Sequence, residues 1–171
     1  GARKAARANK RNVLLLIRGV PGSTVHLQVQ RAGQVLEYDL VRKEQEFVSS
    51  KMFPDGIGYI SLTAYNQMAS KQFKQALESI LQKNPVGLVW DLRNNEGGDM
   101  QAAQEILSYF IDEGLLFTAE LSRGRMVPFM AKKGGALASD IPLVVLIDHT
   151  TYSAAETSAA AIAETGRGMT I

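Results

Sequence analysis

The chain has 171 residues, enough for one domain or one and a fraction. Hydrophobic residues make up 46% and charged residues 21%, a balance that buries a real core. A net charge of +2 is too small to argue for a nucleic-acid partner, and without Cys there is neither disulfide nor thiolate chemistry.

Residues 1–11 have no apolar period, and Arg3, Lys4, Arg7, Lys10, Arg11 and Arg18 all precede the first acid, Glu37. A solvated or disordered tail is expected there. No apolar run approaches the length of a membrane span. Val13-Leu14-Leu15-Leu16-Ile17, stopped by Gly19 and Pro21, predicts the last turns of a buried helix. Val25, Leu27 and Val29 then alternate with polar residues, Ala32-Gly33 signals a turn, and Leu36, Tyr38 and Leu40 alternate again. That pattern is a β-hairpin. The polar residues 42–51 predict a link between two modules.

The second module opens with a strand, Ile57–Leu62. Between Asn66 and Lys83, Met68, Phe73, Leu77, Ile80 and Leu81 fall on one helical face, and Asn84-Pro85 stops the helix. Val86–Leu92 is almost continuously apolar, as a central strand should be. A loop over Arg93–Gly98 leads to a helix striped by Ala102, Ala103, Ile106, Leu107 and Phe110. Leu115–Leu121 predicts another strand and Ser122–Ala138 a loop. Pro142–Ile147 predicts a buried strand, and the Ala-rich run from Ala154 to Glu164 a helix ended by Gly166-Arg167-Gly168. Met169-Thr170-Ile171 has the character of one more strand. Alternating strands and helices predict an α/β layer fold.

Ser153 stands where the Pro142–Ile147 strand turns into the Ala-rich helix. A hydroxyl there is either an N-cap or a nucleophile beside the helix's free N–H groups, which would suit a developing oxyanion. His149 is the obvious rival base, but nothing near it in the sequence orients its ring. Lys132 and Lys133 lie in a Gly-bounded loop, where an ammonium stays solvated rather than activated. His26 falls on an exposed strand face. Two His and no Cys supply no metal-ligand set, and no cofactor is expected.

Two blocks carry a resemblance. They are Asp91-Leu92-Arg93-Asn94-Asn95-Glu96-Gly97-Gly98 and Tyr152-Ser153-Ala154-Ala155-Glu156, the second preceded by Pro142-Leu143-Val144-Val145-Leu146. In this order they resemble the C-terminal processing peptidases, or tail-specific proteases. Gly58-Tyr59-Ile60 to Asn66 resembles that family's strand entering the protease core, and residues 13–43 resemble the end of its PDZ domain. The resemblance implies a crotonase/Clp-like protease core over 44–171 preceded by a partial PDZ domain over 1–43.

By position it implies Ser153 as nucleophile and the backbone N–H groups of Gly98 and Ala154 as oxyanion hole. Asp91, Arg93 and Gly97 would brace the loop, although a plain turn and a surface ion pair would explain them too. Thr151 and Ala155 replace two non-nucleophilic Ser of the family, and Glu164 stands where many members have Asp. The family's general base is a Lys lowered in pKa by burial, with an orienting Gln after it, and both are expected beyond Ile171. The 171 residues are therefore expected to be part of a longer protein.

The implied function is a serine endopeptidase acting on proteins or peptides with apolar C-termini, exported to a periplasm, cell envelope or organelle lumen. The alternatives are a non-proteolytic binding protein on the same fold and an assembly module whose hairpin docks a partner. A homo-oligomer stays open.

Overall fold

The computed structural model describes residue 13 and residues 16–171. The expectations for residues 1–11, Leu14 and Leu15 lie outside the described residues. By the density of contacts the chain divides into two compact units, residues 1–45 and 46–171.

In the first unit Val13, Leu16 and Ile17 are helical. Leu16 is 40% exposed, so the buried-helix expectation fails there. A run of consecutive apolar residues wraps round a helix axis, and some of it must face outward. Strands β1 (Thr24–Arg31) and β2 (Gln34–Val41) form the predicted antiparallel hairpin, with Thr24 opposite Val41 and Arg31 opposite Gln34. Its two-residue turn has positive φ at Ala32 (50°) and Gly33 (79°), the geometry that follows strand twist. The Arg42 guanidinium donates to Ile17 O at 2.7 Å and Ser23 Oγ at 2.8 Å, tying the helix end to the hairpin base.

The second unit is built on a five-stranded sheet of β3 (Val48–Met52), β4 (Ile57–Leu62), β5 (Gly87–Asp91), β8 (Leu143–Leu146) and β9 (Met169–Thr170). They lie in the order β3-β4-β5-β8-β9; β3 is antiparallel to β4 and the other pairs are parallel. Strand β3 occupies part of the predicted link. It is a short polar edge strand with only Val48 and Met52 turned partly inward, too little pattern to announce itself. A separate ribbon pairs β6 (Leu115–Leu121) with β7 (Arg125–Met130), where a loop was expected. Pro128 hides β7, because Pro cannot donate to a ladder; in a two-stranded ribbon one edge of each strand needs no donor.

Helices α1 (Gln67–Leu81), α2 (Met100–Leu107) and α3 (Ala154–Glu164) complete the layers. The Asn66 side chain caps α1, accepting from Met68 N and Ala69 N at 2.9 Å each. Met68, placed on the apolar face by its spacing, is 43% exposed in that first turn. The core face of the sheet presents Ile60, Leu62, Leu88, Trp90, Leu143 and Val145. At its centre Phe73 lies 5.3 Å from Trp90 and 6.0 Å from Phe110, ring centre to ring centre. Such aromatic pairs add to the area they bury.

Because β4, β5 and β8 are parallel, their carboxyl ends share one edge of the sheet. Residues 63–66, 92–99 and 147–153 leave from that edge. In open α/β sheets this is where ligands bind.

Candidate active site

Between β8 and α3 the backbone folds through Ser153 at φ 55°, ψ −121°. A non-glycine residue holds such a conformation only when its surroundings impose it. Ser153 sits at the N-cap position, yet its side chain makes no capping hydrogen bond and the residue is exposed. Ser153 thus stands at the N-cap position without its side chain acting as a cap.

Facing this turn is the loop after β5. Tyr65 N–H donates to Gly97 O and Asp99 N–H donates to Tyr65 O, both at 2.9 Å. In this parallel bridge Tyr65 bonds the residues on either side of Gly98, so the Gly98 N–H turns the other way. No described residue accepts from it. Gly98 has φ 141° and Gly97 φ 93°. A Cβ on Gly98 would meet Tyr65 O at 2.1 Å; one on Gly97 would meet Tyr152 O at 2.6 Å and Ala154 N at 2.8 Å. The loop thus backs directly onto the Ser153 turn, and only residues without a side chain fit.

At the start of α3, Ala155 N–H donates to Tyr152 O at 3.1 Å and Thr157 N–H to Ser153 O at 2.8 Å. Ala154 N–H has no acceptor among the described residues. Gly97 therefore packs directly against the exposed Ser153 and the unpaired Ala154 N–H, and the unpaired Gly98 N–H follows it in the chain. Chemically, such a set can attack a carbonyl and hold the oxyanion that results.

Hydrogen bonds lock the two loops together. Tyr152 N–H donates to Asn95 O at 3.0 Å. The Thr151 hydroxyl donates to Leu92 O at 3.0 Å and accepts from Asp148 N at 2.9 Å, so this Thr stitches the loops. The Asp148 carboxylate accepts from the Thr150 hydroxyl at 2.7 Å, Thr150 N at 3.0 Å and Asn94 N at 3.1 Å. The Thr150 hydroxyl, outweighing partial desolvation together with these amides, holds the Asp148 pKa down at about 2.

Asp91 and Arg93 are more than a surface pair. Arg93 grips the Asp91 carboxylate through Nη2 at 2.7 Å and Nε at 3.0 Å, and its backbone N–H adds a bond at 2.9 Å. The Tyr59 hydroxyl donates to the same carboxylate at 2.6 Å. Asp91 itself is buried. Burial pushes its pKa up, but the Arg93 and Tyr59 hydrogen bonds outweigh this and hold it below the ordinary value.

His149, Lys132, Lys133 and Glu164 are exposed, and no hydrogen bond joins His149 to Ser153 among the described residues. His26 pairs across the hairpin with Asp39. A groove of about 310 Å³ runs beside α3, lined by Asp148, Thr151, Glu156 and Ala160 among others; Ser153 does not line it. Sequence reasoning missed Asn95 and Tyr65. Asn95 is fully buried and Tyr65 nearly so, and burial of a polar side chain is decided by packing that no local pattern encodes.

Residues 56–171 match the family model described as Peptidase family S41. The chain belongs to peptidase family S41. It is 35% identical over 161 residues to the carboxy-terminal processing protease CtpA of Bacillus subtilis, covering 91% of this chain and 34% of that protein. To the chloroplastic carboxyl-terminal-processing peptidase 2 of Arabidopsis thaliana it is 30% identical over 164 residues, covering 90% and 32%. Among solved structures it resembles the photosystem II D1 C-terminal processing protease, with a TM-score of 0.65, 27% identity, and coverage of 89% of this chain and 44% of that one. The chain thus spans about a third of the length of these two curated relatives. The S41 model begins at residue 56, just ahead of β4, and takes in every residue of the Ser153 turn and the facing loop.

Proposed function

We propose that these residues form the nucleophile-bearing part of an S41 serine endopeptidase. Ser153 Oγ attacks the scissile carbonyl, and the N–H groups of Gly98 and Ala154 receive the oxyanion. The Ser proton passes to a general base and on to the leaving amine as the C–N bond breaks. Water then hydrolyses the acyl-serine. By resemblance the base is a Lys outside residues 1–171. Asp91, Arg93 and Gly97 hold the loop in register. One observation carries the proposal: an exposed, uncapped Ser at φ 55° facing a glycine loop.

The substrates are proteins or peptides presented by an apolar C-terminal tail. The β1–β2 hairpin is taken as the rear of a PDZ domain, which captures tails by strand addition. The Arabidopsis relative is named as chloroplastic, and an exported or organelle-lumen setting is proposed for this chain by resemblance. The test uses the full polypeptide that carries these residues and a peptide with an apolar tail. Ser153→Ala is expected to lower turnover by roughly 10⁴-fold or more. Equal turnover by parent and variant would remove Ser153 from the chemistry.

A further inference from the structure

The loop from Arg93 to Gly98 has positive φ at Asn94 (60°), Gly97 (93°) and Gly98 (141°). Such a path is not self-supporting, and something must fix it. Asn95 is 0% exposed and sits inside the loop. Its Nδ2 donates to Leu62 O, the last residue of β4, at 2.7 Å. Its Oδ1 accepts from Gly97 N at 2.8 Å. Its backbone N–H donates to Leu92 O at 3.2 Å, and its carbonyl accepts from Tyr152 N at 3.0 Å. One residue therefore joins the end of β4, the glycine loop and the residue before Ser153.

The side-chain pair matters most. Gly97 N–H and Gly98 N–H are adjacent donors. The carboxamide consumes the first, so the second is left for the substrate carbonyl. We infer that Asn95 is a positioning residue: its buried carboxamide holds Gly97 N–H inward and so aims Gly98 N–H at the reacting oxygen. The inference rests on Ser153 being the nucleophile.

Asn95→Ala leaves Leu62 O and Gly97 N–H buried without partners, which costs stability as well as aim. Asn95→Asp separates the two effects. An ionised Asp accepts from Gly97 N–H but repels Leu62 O. A protonated Asp regains both bonds, with O–H donating to Leu62 O and C=O accepting from Gly97 N–H. Burial favours that neutral form.

The measurement is kcat and KM per folded molecule, in the full polypeptide, well below every variant's melting transition. Asn95→Ala is expected to lower kcat by roughly 10²-fold, the scale of one lost oxyanion donor, with KM within about threefold. The kcat of Asn95→Asp relative to parent is expected to rise as pH falls from about 8 to about 5, since only the variant gains a second bond on protonation. Should Asn95→Ala not fold, the Asp variant carries the test. A flat ratio for Asn95→Asp, or Asn95→Ala with parental kcat, overturns the inference. Ser153→Ala, run alongside, keeps the failures apart: if it too retains turnover, the serine mechanism has failed rather than the role of Asn95.

Discussion

At the scale of single residues, the site is a close fit between two backbones. Gly97→Ala would place a methyl 2.6 Å from Tyr152 O and 2.8 Å from Ala154 N, at φ 93°. Backbone must move, so the variant is expected to lose stability by about 1–3 kcal/mol and turnover by roughly 10²-fold or more. Thermal melting and kcat check this; a variant with parental values of both would mean the loop is not packed on the Ser153 turn. Asp148 offers a pH test. Its pKa in the folded chain is depressed to about 2 from 3.8. Its contribution to stability is therefore present above pH 3.8 and lost as pH falls toward 2. Asp148→Asn is expected to melt lower than parent at pH 7, with the gap closing as pH drops through that window. A gap constant with pH would show that the charge is not what binds Asn94 and Thr150. Ser153, Gly97 and Gly98 are singled out by their place in the two family-like blocks, and the positive φ at 97 and 98 explains why glycines stand there. The enclosure of Asn95 could not be read there, because an Asn in a loop looks the same whether solvated or wholly enclosed.

At the scale of elements, the long apolar segments announced themselves and the polar ones did not. β5 and β8 are central strands whose runs are apolar almost throughout. β3 is polar and at an edge, and β7 carries Pro128, so both were assigned to irregular chain. Helix α1 anchors the core. Phe73 is fully buried among Trp90, Tyr109 and Phe110. Phe73→Ala is expected to cost about 3–5 kcal/mol in denaturant unfolding. Asn66→Ala, which removes two bonds to the first turn of α1, is expected to cost only about 1 kcal/mol. An equal loss for both would mean that the first turn of α1, not the aromatic centre, limits stability.

At the scale of the molecule, the chain divides into two units between residues 45 and 46. The polar composition of 42–51 pointed to a link, but the link ends sooner, because β3 starts at Val48. Lys43 is exposed in the irregular segment between β2 and β3. Within the described residues, limited trypsin treatment is expected to cut first at Lys43. A first cut inside α1, at Lys71 or Lys74, would contradict the division. The most direct test of the whole account is to trap the covalent intermediate. The full polypeptide is mixed with an activated ester of an apolar-tailed peptide, quenched in acid within the first turnover, and mapped by mass spectrometry. The account predicts the acyl group on the peptide containing Ser153 and nowhere in Ser153→Ala. An acyl group on another side chain, or undiminished turnover by Ser153→Ala with no adduct, would contradict it.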